Sequence, residues 1–310
     1  MATRYDVIVI GTGQSGPPLA SRMADEGLKI AVIERKRFGG TCVNVGCVPT
    51  KTLVASARAA YVARRAADFG VKIKGVKVDM RRVKARKDAI VNSGTRGIAK
   101  WMRSTDNVTV YKGHARFEGP KTVRVNGELL EAERIFINVG GRALVPDMRG
   151  IRDVPYLTNS TILDIDVLPE HLIVIGGSYI GLEFAQMYRR FGSRVTVVEM
   201  GDRLIGREDV DVSDAIREIL EGEGITVRLK AECINAKMRG KKIVAGLDCA
   251  DASKQAAGSH LLLAVGRVPT RPGTASRCAR RCLRPRGSAG SQWRSPRLRG
   301  APGVAPSRTR

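Results

Sequence analysis

The 310-residue chain has no run approaching the 18 or more apolar residues that a membrane span requires. Its opening, MATRYDVIVIGTGQSG, lacks the small-residue cleavage pattern of a signal peptide. The short apolar run there reads instead as a strand. The expectation is a soluble cytoplasmic protein with no membrane partner. Histidine is scarce: His114, His171 and His260 are scattered and near no close cysteine pair. Cysteine is limited to six residues: Cys42, Cys47, Cys233, Cys249, Cys278 and Cys282. A structural zinc site wants four ligands, often as two close pairs. The only close pair besides Cys42 and Cys47 lies near the C-terminus, so no metal site is expected.

Acidic residues are missing from one region altogether. Residues 271–310 contain eleven Arg and no Lys, Asp or Glu, which leaves +13 of the net +24 on the first 270 residues. There the basic residues are interspersed with acids. Residues 271–310 also lack Ile, Phe, Tyr and any apolar periodicity, a composition that predicts disorder. A nucleic-acid-binding protein acting through this Arg-rich tail is an alternative reading. It is disfavoured because the basic excess of the rest is ordinary.

The length suggests two domains. Tyr5–Ile10 (YDVIVI) is a β-branched apolar run typical of a buried parallel strand. Glycines follow, then a helical pattern with Pro17 and Pro18 in its first turn, where proline is tolerated, and then the strand KIAVIE. Residues 42–67 and roughly 79–103 read as helices, and 108–139 as short strands forming an antiparallel excursion that returns to the first sheet. Residues 146–164 look loop-like. The stretch HLIVIGGSYIGLEFAQMYRRFGSRVTVVEM then repeats the opening pattern of strand, glycines, helix and strand ending in Glu. A helix near 209–223, the strand ITVRLK, a polar hairpin and HLLLAVGR complete that unit. The expected class is α/β, with two Rossmann-like dinucleotide-binding domains at 1–150 and 151–270 and a disordered tail at 271–310.

Gly11, Gly13 and Gly16 fit G-x-G-x-x-G between a strand and a helix. Such glycines give a tight turn, close approach of a pyrophosphate and close helix–strand packing. Glu34 ends the next strand, where a carboxylate accepts hydrogen bonds from ribose hydroxyls. Gly176, Ser178 and Gly181 form the second copy, with Glu199 ending its second strand. A carboxylate at 199 favours NADH, because it repels the 2′-phosphate of NADPH; Arg203 keeps NADPH open. Between the copies lies GGTCVNVGCVPTK (Gly39–Lys51). Its cysteines read as metal ligands, a staple, a chance pair or a redox pair. Their place after a dinucleotide-binding unit and at the start of a helix, whose dipole lowers a thiol pKa, favours the redox pair.

These residues resemble the class I pyridine nucleotide–disulfide oxidoreductases, the family of dihydrolipoamide dehydrogenase, glutathione reductase and mercuric reductase. The resemblance covers residues 4–270. It implies FAD on the first unit, with Glu34 on its ribose and with Gly40, Thr41, Ala115 and Gly140 near it. NAD(P)H would sit on the second unit. Electrons would pass from nicotinamide through FAD to a Cys42–Cys47 disulfide. Cys47 would be the thiol nearest the flavin and Cys42 the interchange thiol. Lys51 would lie beside the flavin and pair with Glu183. Tyr179 matches a gating aromatic over the nicotinamide pocket, and Gly266 a glycine near it. NVGG at 138–141 replaces the family's usual Ala-Thr-Gly. The implied electron acceptor is a small-molecule or protein disulfide, or a metal ion.

After Thr270 the resemblance stops. The family continues with a flavin-clamping Gly-Asp motif and a dimerisation domain carrying a His–Glu acid/base pair. Read one base later, codons for Arg271–Ala275 in the pattern CGN CCN GGN ACN GCN allow Asp-Leu-Gly-Leu, close to the family text. A shifted reading frame after Thr270 is therefore expected, with the homodimer interface missing and the chain weakly flavinylated and impaired. Resequencing across codons 265–275 tests this. A further alternative is a non-catalytic flavoprotein fragment.

Overall fold

The computed structural model describes residues 1–249 and 253–270. Strand β1 (Thr3–Ile10), helix α1 (Gly16–Asp25) and strand β2 (Ile30–Glu34) form the first βαβ unit. All five β2 residues are buried, as are the last four of β1. Burial on both faces of a parallel sheet is why these strands are continuously apolar. Pro17 and Pro18 occupy the first turn of α1, as expected.

Beyond β2 the chain forms α2 (Gly40–Val45) and α3 (Cys47–Arg64), where the sequence suggested one helix. The break is Gly46, whose φ of −141° and ψ of −119° lie outside the helical region. A Cβ there would stand 3.0 Å from the Thr41 carbonyl oxygen. Helix α4 (Met80–Ser104) follows, capped by the Asp79 carboxylate, which accepts the Arg82 N–H at 3.1 Å. Strands β3 (Val108–Lys112), β4 (Arg116–Phe117), β5 (Thr122–Val125) and β6 (Glu128–Ile137) complete a six-stranded sheet in the order β3-β2-β1-β6-β5-β4. β1, β2, β3 and β6 are parallel, and β4 and β5 form the antiparallel excursion.

β7 (Gly141–Ala143) ends the first unit, and the second contains β8 (Tyr156–Thr158), β9 (His171–Ile175), α5 (Tyr179–Phe191) and β10 (Arg194–Val198). It continues through α6 (Val210–Gly222), β11 (Thr226–Arg228), β12 (Glu232–Arg239), β13 (Lys242–Asp248), β14 (Gln255–Gly258), β15 (His260–Leu263) and β16 (Arg267–Pro269). Its main sheet is parallel, in the order β11-β10-β9-β15-β8. Two details differ from the sequence reading. The loop-like 146–164 contributes the edge strand β8, and the polar hairpin carries a third antiparallel strand, β14.

The two units share a core. Leu53 and Ala57 of α3 are buried in one cluster with Leu182, Phe184 and Tyr188 of α5. The Arg64 guanidinium donates to the Arg190 and Phe191 carbonyls at the C-terminal end of α5. At the other end, β16 pairs antiparallel with β7, and the Thr270 N–H donates to the Gly140 carbonyl at 2.8 Å. The expectations for residues 271–310 lie outside the described residues. Among the described residues no helix is long and apolar enough to cross a membrane.

Candidate functional site

The two glycine turns are built alike. Gly11 has φ +102° and Gly176 has φ +108°, a region that disfavours any side chain. The Gly11 N–H donates to the Ile33 carbonyl and the Gly176 N–H to the Val198 carbonyl, each at 2.8 Å. A Cβ on Gly16 would overlap the Gly11 carbonyl oxygen, and one on Gly181 the Gly176 carbonyl oxygen. Each turn also binds its own carboxylate. Glu34 Oε2 accepts from Thr12 N at 3.0 Å and Thr12 Oγ1 at 2.6 Å, and Glu34 Oε1 from Lys36 N at 2.8 Å. Glu199 accepts from Gly177 N at 2.6 Å and Gly201 N at 2.8 Å. The sequence repeat is therefore a structural repeat.

The first turn opens into a cavity of about 970 Å³, near the top of the usual range for ligand pockets. Gly11, Gly13 and Glu34 form one wall, with Ala115 beside them. Gly40, Thr41 and Gly140 continue it. A Cβ on Gly40 would come within 2.6 Å of Gly13 Cα, so only glycine lets α2 approach the turn this closely. Cys42, Cys47, Lys51 and Glu183 line the same cavity. Gly16 packs behind the turn rather than facing the cavity. Gly176, Ser178, Tyr179, Gly181, Glu199 and Gly266 do not line it; the first five form the second turn and its strand end.

Three of the lining residues that escaped the sequence reading tie the wall together. Thr12 is fully buried and ties the turn to Glu34. Asn138 presses its amide against Gly13 and Gly16, and its buried Nδ2 finds no partner among the described residues. Arg267, next to the predicted Gly266, donates to the Gly141 carbonyl and to Thr41 Oγ1, the latter at 3.4 Å. Asn138 and Arg267 stood within the quoted NVGG and AVGR stretches, but their placement depends on β6 and β16 lying beside partners distant in sequence.

Cys42 and Cys47 are free thiols, the first partly buried and the second exposed. Burial, then the hydrogen bond between its thiol and the neighbouring Cys47, pushes the Cys42 thiol above its ordinary value. The expected lowering by a helix dipole is thus not found at Cys42. It lies inside α2, which has only six residues, and burial outweighs so short a dipole. The Lys51 ammonium is paired with the Glu183 carboxylate across α3 and α5. The Cys42 thiol therefore holds its proton to higher pH than an ordinary cysteine. Alkylation of the reduced chain at neutral pH should mark the exposed Cys47 first, with Cys42 labelling accelerating as the solution is made alkaline. Peptide mass spectrometry reads the order, and equal rates at neutral pH would count against it.

Tyr179 begins α5 with its ring half-exposed, and its hydroxyl donates to Glu208. That bond holds the phenol above its ordinary pKa. The residue beside it, Ile180, does reach the large cavity.

Fold and site define a protein with two βαβ units that each carry a glycine turn, and a cysteine pair lining the cavity that the first turn opens. A family model described as Pyridine nucleotide-disulphide oxidoreductase matches residues 5–283. Dihydrolipoyl dehydrogenase of Acholeplasma laidlawii is 33% identical over 271 residues, covering 86% of this chain and 79% of that protein. Mercuric reductase of Streptomyces lividans is 36% identical, covering 86% of this chain and 57% of that protein. The solved structure of HOCl-induced flavoprotein disulfide reductase RclA from Escherichia coli superposes with a TM-score of 0.76 at 34% identity, over 86% of this chain and 57% of that one. The chain belongs to the pyridine nucleotide–disulphide oxidoreductase family. It spans just under three fifths of the length of the latter two relatives.

Proposed function

We propose that the chain is an FAD-dependent oxidoreductase that takes electrons from NAD(P)H and passes them through the Cys42–Cys47 pair to a disulfide or metal-ion acceptor. One observation carries this reading: the first glycine turn with Glu34, and the two cysteines with Lys51, line a single cavity. The cavity suits FAD on its own features. Its turn has backbone where side chains would block a pyrophosphate, a buried carboxylate stands at the strand end, and the orphaned Asn138 amide adds a polar donor. When bound, FAD supplies a two-electron carrier between nicotinamide and thiols.

The chain's own residues do the rest. Gly11 and Gly13 admit the pyrophosphate, and Glu34 and the Ala115 backbone face the adenosine end. Lys51, held by Glu183, places a cation beside the thiols. Cys47, exposed to the cavity, takes the flavin side, and Cys42 exchanges with the acceptor. Closing the pair to a disulfide releases two electrons and two protons, which is what opening a substrate disulfide to two thiols consumes.

Glu199 supports NADH over NADPH. Its carboxylate, fixed by two backbone N–H groups, suits a 2′-hydroxyl and repels a 2′-phosphate. Arg203, the cation best placed by sequence to offset it, donates to the Gly206 carbonyl in its own loop at 3.1 Å. The absorbance spectrum of the FAD-loaded chain, followed through NADH and NADPH titrations, tests both points. A retained flavin band that bleaches with NADH is the expected result, with NADPH needing at least about tenfold more. A chain that keeps no flavin after desalting would end the FAD reading. Equal response to the two nucleotides would end the NADH preference. The nucleic-acid alternative gains no support from the site.

A further inference from the structure

Helix α4 carries eight cations and one acid, Asp88. Three of the cations in its first half have partners. Lys84 and Lys87 pair with Asp88, and Arg86 donates to the Thr52 carbonyl at 2.9 Å and to Ser56 Oγ at 3.2 Å. The second half is different. Arg96, Lys100 and Arg103 stand at the i, i+4, i+7 spacing that puts them on one helix face. Among the described residues none of the three enters an ion pair, and the nearest acid in sequence, Asp106, pairs with none of them. With Ala99 and Ser104 they line an open pocket of about 400 Å³ that shares no lining residue with the large cavity.

Two other segments bring further positive charge to this end of α4. Arg37, just past β2, donates to Asn92 Oδ1 at 2.6 Å, one turn before Arg96. Arg103 and Lys112, the last residue of β3, stand 5.8 and 5.5 Å from the centre of the Phe38 ring. Helix geometry alone does not account for the cluster. Cations in a last turn answer the helix dipole, which serves for Lys100 and Arg103. Arg96 lies about two turns from the end, beyond the dipole's reach, and like charges at i, i+4 weaken a helix. The dipole does not exclude an anion either. It places only about half a negative charge at the helix end, against three full positive charges on the pocket wall.

We propose that this pocket binds a compact oligophosphate anion, of which inorganic triphosphate is the simplest, through Arg96, Lys100 and Arg103. Its volume lies near the low end of ligand pockets, which suits a small ligand. Guanidinium and ammonium groups hold phosphate oxygens by charge-assisted hydrogen bonds. Phe38 is 4% exposed and faced by two cations, so its ring is not free to stack on a base, and the ligand is selected by charge. A bound polyanion also offsets the mutual repulsion of the cations, an effect that salt screens. Arg37 lines the large cavity as well, so Arg96 and Lys100 are the residues that separate this site from the first glycine turn.

Isothermal titration calorimetry of inorganic triphosphate into the full chain tests the pocket, at about 0.1 M salt and with FAD and NADH in excess to occupy the glycine turns. The parent should bind one triphosphate per chain. Arg96→Ala/Lys100→Ala should weaken that binding about ten- to twentyfold, as two surface ion contacts of about three- to fivefold each. Arg81→Ala/Arg82→Ala removes the same charge from the other end of α4, about 20 Å away along the axis and beyond the screening length of about 10 Å. It should change binding less than about twofold. Melting curves establish that both double variants are folded. A parent that binds no triphosphate overturns the proposal. So does an equal loss in the two double variants, which would mean a diffuse positive field. Unchanged binding in Arg96→Ala/Lys100→Ala would put the triphosphate elsewhere, as in a glycine turn, and also overturns it. A thymidine oligonucleotide supplies phosphate from a second source. If it binds more tightly than triphosphate and weakens equally in both variants, the charge serves a nucleic-acid surface and the pocket reading fails.

Discussion

Replacing Gly16 with valine should abolish FAD retention while leaving most of the secondary structure in place. The Cβ would overlap the Gly11 carbonyl oxygen, and the amide of Asn138 stands 3.0 Å from the same point. Neither obstacle is the free end of a flexible chain: one is backbone, and the other belongs to a side chain packed in the turn. Helix α1 must therefore move away from β1, carrying Gly13 with it. A displacement of about an ångström is enough to cost roughly 100-fold in a preorganised site. Overpacking of this kind costs about 1–3 kcal/mol, or roughly 2–12 °C in Tm for a domain of this size. Gly97→Ala provides the contrast. It lies in the middle of α4, and a Cβ there meets nothing within 4 Å. It should leave FAD retention unchanged and raise stability by about 0.5–1 kcal/mol. Flavin content after desalting, with melting curves, reads both variants. Flavin retained by Gly16→Val at the parent level would mean that this turn does not hold the dinucleotide.

The same residues show what a sequence can and cannot disclose. Gly11 to Gly16 and Gly176 to Gly181 were legible because each requirement is local. A continuous apolar strand, a turn without side chains and a helix start all fall within thirty residues. Glu34 and Glu199 followed, since a strand's last residue must face the turn beside it. Gly46 was not legible as a break, because the Ala- and Arg-rich text on both sides is helical and a lone glycine is tolerated in helices at modest cost. Strand β8 has three residues, too few to show a period. Arg267 reaches Thr41 only because β16 pairs with β7, and Tyr179 meets Glu208 only because Leu204 is buried under the turn. Such contacts depend on tertiary packing that no local pattern encodes. The Cys42 thiol misled for a different reason: its helix position was read well enough, but the sign of its shift is set by burial, which the sequence does not give.

Phe184→Ala should be the most damaging single side-chain truncation between the two units. Phe184 is 1% exposed and belongs to a cluster that draws Leu53, Ala57 and Met80 from the first unit and Leu172, Val197 and Leu262 from the second. Removing a buried phenyl ring costs about 3–5 kcal/mol, through lost transfer energy and the cavity left behind. That corresponds to roughly 6–20 °C in Tm. The adjacent polar contact should matter far less. The Lys51 and Glu183 side chains are 67% and 35% exposed, and ion pairs in such settings contribute about 0–1 kcal/mol. Glu183→Gln should therefore shift Tm by under about 4 °C. Calorimetry on the two variants decides which interaction joins α3 to α5. If the Glu183 variant melts as low as the Phe184 variant, charge rather than apolar burial welds the units. If Phe184→Ala melts in two separate transitions, the cluster was coupling two units that each fold alone. A single transition at lower temperature means that α3 is part of the second unit's core, which would make the helix that starts at Cys47 a structural member of both halves and fix the thiol relative to both glycine turns.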